Sequence, residues 1–210
     1  MNLRRQFAEI KATNGRVLIP KLSPYFKAVK YWGKGIPLKQ VSALDNLLTF
    51  TKFLQQNQIT YFLTGGTLLG SVRQDAFAGR PGDIDLGIFE EDEQKLLHLV
   101  GNLKKIGFIR DEMYVSHPDK IVFTKWRSPH VDVMVYRPVS RGQSSSLMQY
   151  QHVNALGQVF VCPINLSVSR LGKIFDFQFP IPHNAEEVIE NQYGSTWRTP
   201  DAPQPSLRRR

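Results

Sequence analysis

Two short segments constrain this chain more than anything else in it: Tyr61-Phe-Leu-Thr-Gly-Gly-Thr-Leu-Leu-Gly-Ser-Val-Arg73 and, after a loop, Gly82-Asp-Ile-Asp-Leu-Gly-Ile-Phe89. Tyr61 to Leu63 are aromatic and apolar enough for a short buried strand. Gly65-Gly66 gives a sharp turn, and Leu68, Leu69 and Val72 then recur at helical spacing up to Arg73. At such a strand–turn–helix junction the glycines let backbone approach a ligand, and the free N–H groups of the first helical turn favour an anion. Gly65, Gly66 and Thr67 are therefore the candidate phosphate cradle, although a lone Gly-Gly pair before a helix is more often just a tight turn.

The second segment gives the cradle a chemical neighbour. Asp83 and Asp85 alternate with Ile84 and Leu86 in a stretch of strand character, so both carboxylates share one face. Two residues along a strand rise about 6.5–7 Å, which lets two carboxylates converge on one divalent cation or a close pair. Oxygen-only ligands favour Mg2+ or Mn2+. A third carboxylate is offered by His130-Val-Asp-Val-Met-Val-Tyr136, where Val131, Val133 and Val135 point one way and Asp132 shares the other face with Met134 and Tyr136. An acid in so apolar a strand is costly to bury without a partner, and a metal beside Asp83 and Asp85 would be one.

These residues resemble a known family. Gly65-Gly-Thr-Leu-Leu-Gly-Ser-Val-Arg73, then Asp83-Ile-Asp85, then Val131-Asp132-Val133 looks like the LicD family, whose relatives include fukutin and fukutin-related protein. Phe179-Pro-Ile-Pro-His-Asn184, Tyr193-Gly-Ser-Thr-Trp197 and Pro200 are similar to the pattern with which such domains close. The resemblance runs from about Leu38 to Pro200. It implies a nucleotidyltransferase-like α+β fold with a mixed central sheet flanked by helices. It also implies a metal-dependent transfer of phosphocholine or a polyol phosphate such as ribitol phosphate from a CDP-activated donor to a sugar hydroxyl. The acceptor would be a cell-surface glycan or its precursor, with lipid linkage left open. Asp83, Asp85 and Asp132 would then hold the metal and carry catalysis, Asp132 being the candidate general base, while Gly65, Gly66, Thr67 and Arg73 bind the donor phosphates.

Two departures stand out. Where the family has a Trp-Asp-Asp run before its Asp-x-Asp, this chain has Arg80-Pro81-Gly82. The zinc-binding insertion of fukutin-related protein has no counterpart, because Cys162 is the only cysteine. The same fold also supports nucleotidyl transfer from a nucleoside triphosphate, and a non-catalytic nucleotide- or polyanion-binding domain is a further alternative. The intact trio of acids argues against the latter, since a binder of polyanions has no use for repulsive carboxylates unless metals neutralise them.

Composition sets outer bounds. At 210 residues, 41% hydrophobic and 11% aromatic, the chain can bury a sizeable core and is not disordered. A single cysteine precludes an internal disulfide and fits a reducing compartment. Met1 to Ile10 lacks the apolar core of a signal peptide, and no apolar run reaches transmembrane length. The expectation is a cytoplasmic protein, with peripheral contact at the inner membrane face as an option. Lys plus Arg number 27 against 18 acidic residues, a formal +9, which suits polyanionic partners or simply a solvated basic surface. No helix-turn-helix or aromatic-basic interleaving supports nucleic-acid binding.

Along the chain, residues 1–35 read as an extension draped over the core, 36–200 as the LicD-type domain and 201–210 as a flexible basic tail. Helical spacing predicts a helix from Leu38 to Gln56. Residues 74–82 have the composition of a mobile loop able to cover a donor, and Arg80 in it is as readily solvated. Acidic Glu90 to Glu93 open a helix running through Ile106 and ended by Gly107. Phe108-Ile109, Tyr114-Val115, Ile121 to Trp126, Val159 to Val161 and Ile174 to Phe179 read as strands, and Asn184 to Glu187 as a capping box opening a helix to Gln192. His117, His130 and His152 lack metal-ligand spacing. Trp126, Tyr136, Phe175 and Phe177 are the aromatics from which a cage for a quaternary ammonium would be drawn, and Tyr193 and Trp197 are placed to close the site or to pack.

Overall fold

The first helix, α1 (Leu38–Gln56), has Pro37 at its N-cap with no side-chain cap and no acid in its first turn. Burial holds it instead: Val41, Ala43, Leu44, Leu47, Phe50 and Leu54 are all 2% exposed or less, and each large apolar side chain so covered contributes about 1.5–3 kcal/mol. Leu38 lies at the exposed end of the helix, and Leu47 and Phe50 are in the core. This computed structural model describes residues 31, 34–79, 81–114, 117, 119–138, 148–153, 159–164 and 170–200. Arg80, Val115, residues 141–146 and 201–210, and the extension apart from Tyr31, Lys34 and Gly35 lie outside the described residues.

After α1 come β1 (Tyr61–Leu63), α2 (Gly65–Gln74), β2 (Asp83–Phe89), α3 (Glu90–His98), α4 (Val100–Lys105), β3 (Ile109–Arg110), β4 (Lys120–Lys125) and β5 (Ser128–Pro138). Then follow β6 (Met148–Val153), β7 (Val159–Ile164), β8 (Arg170–Ile174), β9 (Phe177–Ile181) and α5 (Ala185–Tyr193). The main sheet runs β1-β2-β5-β4-β3, with β6 and β7 continuing from the far end of β5. Among the described strands only β2 and β5 are parallel; the other pairs are antiparallel, so the sheet is mixed and the fold α+β, as expected.

The parallel pair positions everything that matters chemically. Asp83, Asp85, Gly87 and Phe89 of β2 lie directly beside His130, Asp132, Met134 and Tyr136 of β5. One face therefore carries the carboxylates at its leading end and a packed aromatic layer behind them. In that layer Phe62 stacks at 5.1 Å from Tyr136 and 5.4 Å from Phe89. Gly87 makes room for it, since a Cβ there would lie 2.5 Å from the Phe62 ring. The other face presents Ile84, Leu86, Ile88, Val131, Val133 and Val135, all fully buried. Asn46 of α1 donates to the Pro129 carbonyl at 2.9 Å and so anchors the helix at the start of β5.

Several sequence expectations are corrected. The 90–106 helix is two helices broken at Leu99, whose N–H bonds back to Leu96 instead of extending the ladder. Tyr114 ends a single 3-10 turn, Glu112–Tyr114, and not a strand. The strand expected over Ile174 to Phe179 is the hairpin β8–β9, bent at Phe175-Asp176 with Phe175 at φ 56. At the start of α5, Asn184 makes no backbone cap and instead donates to the Glu187 carboxylate at 2.9 Å. Residues 74–79, expected as part of a mobile loop, are pinned: Phe77 is 1% exposed, Gln74 Nε2 donates to its carbonyl at 2.7 Å, and Gln40 Nε2 reaches the Gly79 carbonyl at 2.7 Å. Among the described residues no helix is long and apolar enough to cross a membrane.

Candidate active site

The side chains of Asp83, Asp85 and Asp132 offer ligand oxygens that all lie within 4.8 Å of one another. Strand parity and register bring them there: Asp83 and Asp85 are alternate residues of β2, and Asp132 is the direct neighbour of Asp85 on β5. The set is graded in exposure, from solvent-facing Asp83 through half-buried Asp85 to buried Asp132. Beside it opens a cleft lined by Gly66, Thr67, Phe77, Pro81, Asp83 and Asp85.

The glycine turn grips Asp85. Its Oδ2 accepts from the Gly66 N–H at 2.7 Å and the Thr67 N–H at 3.4 Å, while its own N–H donates to Thr67 Oγ1 at 2.9 Å. Gly65 sits at φ 53, and a Cβ there would meet Asp85 Cγ at 2.6 Å. In this structure the N–H groups expected to cradle a phosphate thus hold a carboxylate, and the first glycine is required by that side chain's approach. Burial first, then the charges of Asp83 and Asp132, push the Asp85 carboxyl from its ordinary 3.8 up to about 7, against the pull of the two N–H donors.

Asp132 has a partner the sequence reading missed. Lys120, at the start of β4, places Nζ 2.5 Å from Asp132 Oδ2. Burial opposes the Lys120 charge, but the Asp132 hydrogen bond and charge, then the charge of Asp85, hold the ammonium above its usual value. Burial likewise raises Asp132 despite Lys120. The neighbouring Asp119, 3% exposed, accepts from Arg137 Nε at 2.7 Å, and Arg137 also reaches Glu93 at 2.8 Å and Glu90 at 3.3 Å. Glu90 and Glu93 therefore act structurally, as expected.

Arg73 is not in the cleft. Its Nη1 donates to the Trp197 carbonyl at 3.3 Å, and it lines a separate small depression with Leu69, Tyr193, Thr196 and Trp197. Tyr193 stands between the two places: a Cβ on Gly66 would be 3.9 Å from its hydroxyl, and Asp85 and Asp83 on one side and Arg73 on the other act on its charge. Of the four aromatics considered for a cage, Tyr136 is buried and shares a 2.6 Å hydrogen bond with Thr64. Trp126 is 70% exposed, and Phe175 and Phe177 belong to the β8–β9 hairpin. None lines the cleft; Phe77 does. His130 faces Asp83 across the parallel pair, and His117 Nδ1 accepts the Asp119 N–H at 3.3 Å.

The family model described as "LicD/FKTN/FKRP, nucleotidyltransferase domain" matches residues 58–165, just over half of the chain. An uncharacterised protein of Rickettsia prowazekii (strain Madrid E) is 34% identical over 71 residues, 33% of this chain and 27% of that protein. A second, from Rickettsia typhi (strain ATCC VR-144 / Wilmington), is 34% identical over 71 residues, 33% of this chain and 23% of its own length. The match thus spans about a quarter of each of these relatives. Among solved structures, the lincomycin-bound lincosamide antibiotic adenylyltransferase LnuA superposes with a TM-score of 0.46 at 16% identity, covering 69% of this chain and 82% of that one.

Proposed function

This chain belongs to the LicD family of nucleotidyltransferase domains, and from that premise we propose that it transfers a phosphorylated alcohol from a CDP-activated donor to a hydroxyl of a glycan. The observation that carries the reading is the convergence of Asp83, Asp85 and Asp132 beside an open cleft.

The three carboxylates suit a hard divalent cation, Mg2+ or Mn2+. All the donors are oxygens, and the like charges of Asp83 and Asp132 are part of what raises Asp85, a repulsion that a cation between them relieves. When bound, the cation would neutralise charge on the donor pyrophosphate and on the leaving oxygen. The chain's own residues supply the rest. Gly66 and Thr67 fix the Asp85 carboxylate in one orientation, so its lone pairs face the site without reorganisation. Asp132, whose carboxylate stands with those of Asp83 and Asp85 at the site, would take the proton from the acceptor hydroxyl. The acceptor oxygen then bonds to the alcohol-bearing phosphorus, the bond from that phosphorus to the oxygen of CMP breaks, and CMP leaves.

Of the segment that departs from the family pattern, Pro81 and Gly82 line the cleft, without the extra acids of that pattern. That departure bears on which donor fits more than on the transfer itself. The test is CMP release from CDP-ribitol, CDP-glycerol and CDP-choline, with CTP as control, in Mg2+ and in chelator. Metal-dependent release from one CDP-alcohol, lost in Asp83→Ala, is expected. Consumption of CTP alone would replace this reading with nucleotidyl transfer, and full activity in Asp83→Ala would remove the site.

A further inference from the structure

The third carboxylate of the triad already has a cation. The Lys120–Asp132 contact is 2.5 Å with side-chain exposures of 16% and 7%, so the ammonium is held against a carboxylate largely shielded from water. The same Asp132 group offers an oxygen within 4.8 Å of those of Asp83 and Asp85. A divalent ion seated on all three acids and an ammonium on Asp132 therefore draw on one carboxylate while repelling each other at short range in a partly desolvated place. Lys120 opens β4 on a flexible four-carbon stem, its Nζ also 5.4 Å from the centre of the Tyr114 ring, whereas Asp132 is fixed mid-strand between paired neighbours.

We propose that Lys120 is the resident counter-ion of Asp132 and competes with the divalent cation for it, so that full three-carboxylate coordination requires the ammonium to leave. The inference rests on the metal reading above. It makes the cation an exchangeable ligand and not a permanent resident, because the apo site keeps its buried acid neutralised with its own side chain. Asp83 and Asp85, which have no lysine on them among the described ion pairs, form the part of the site that a cation meets first.

The experiment is titration with Mn2+ alone, free ion followed by electron paramagnetic resonance, on the whole chain and four variants. Lys120→Met is expected to bind Mn2+ about tenfold more tightly, since a unit charge beside the site is removed. Lys120→Arg, which keeps the charge, stays near the parent, and the gain vanishes when Asp132→Asn is combined with Lys120→Met. Unchanged or weaker binding by Lys120→Met, with the parent still binding, overturns the competition and leaves the metal site standing. Absence of Mn2+ binding by the parent, or binding that survives Asp83→Asn, removes the metal reading itself and this inference with it. Should Lys120→Met not fold, the unmodified protein decides: acetylation of Lys120, quantified by mass spectrometry, rises with Mn2+ while exposed Lys52 is unaffected, and equal labelling of Lys120 with and without Mn2+ overturns the proposal.

Discussion

Asp85 is the residue on which the site's electrostatics turn. Its carboxyl is raised from 3.8 to about 7, by burial first and then by Asp83 and Asp132. A group that holds its proton more firmly folded than unfolded stabilises the fold fully below its unfolded value and loses that contribution as pH climbs to the folded one. In chelator the protein's melting temperature should therefore fall between about pH 4 and about pH 7, and Asp85→Asn should flatten that limb. A wild-type slope identical to that of Asp85→Asn would show that Asp85 is not the titrating group. Gly65 gives a second test at this scale. With φ at 53 and a Cβ 2.6 Å from Asp85 Cγ, Gly65→Ala should cost about 1–3 kcal/mol in urea unfolding and weaken Mn2+ binding, because the carboxylate must move. The carboxylates themselves were legible in the sequence, since strand parity alone puts Asp83 and Asp85 on one face. Lys120 was not. Lys125 pairs with Ser128, and an unbroken ladder from there would set Asp132 opposite Ile121; the irregularity between Phe123 and Lys125 sets it opposite Val122 instead, which turns Lys120 onto the Asp132 face. A one-residue bulge decides that contact, and nothing in the composition of 120–132 announces it.

At the scale of elements, length and period were read well where burial acts on one side of one element, and poorly where a neighbour intervenes. α1, β1 and β2 lie where the apolar spacing puts them. The hairpin β8–β9 was hidden because Phe175, an aromatic in a left-handed turn position, continues the apolar alternation across the bend. The loop before β2 looked mobile from its Gly and Pro content, yet a single buried ring, Phe77, and two glutamine side chains tie it down. Elements are also joined by charge. Arg137 near the end of β5 spans Asp119, ahead of β4, and Glu90 and Glu93 at the head of α3. Replacing it leaves the buried Asp119 without that guanidinium, so Arg137→Met should lower stability by about 1–3 kcal/mol, read as a shift in urea midpoint at unchanged slope. Arg137→Lys should recover only part, because one ammonium cannot repeat a fork that contacts three carboxylates. A neutral Arg137→Met would mean that α3 is held by its apolar face alone.

For the molecule as a whole, the family match over residues 58–165 contains all three carboxylates and the sheet beneath them, but only part of the core. α1 supplies Leu44, Leu47, Phe50 and Leu54, and the C-terminal part supplies Ile174, Phe179, Ile181, Val188, Ile189 and Trp197, every one 5% exposed or less. At about 1.5–3 kcal/mol for each large apolar side chain, either set alone is comparable to the whole stability of an ordinary domain, about 5–15 kcal/mol. The C-terminal segment is also the wall behind the site: α5 packs against α2, and the Trp197 carbonyl accepts from Arg73 on that helix. A fragment of residues 58–165 should therefore show no cooperative thermal transition by circular dichroism and no Mn2+ affinity attributable to the triad. A fragment of 31–200 should melt cooperatively, because it keeps both flanks and also Tyr31, which is 4% exposed, bonds Asp45 at 3.3 Å and meets the Phe177 ring edge-on. Starting at residue 36 instead removes that tyrosine and should cost about 1–3 kcal/mol without unfolding the rest. A cooperative melt of 58–165 would mean that the sheet and α2 to α4 are self-sufficient, and that the flanking helices and hairpin shape the cleft without holding the fold.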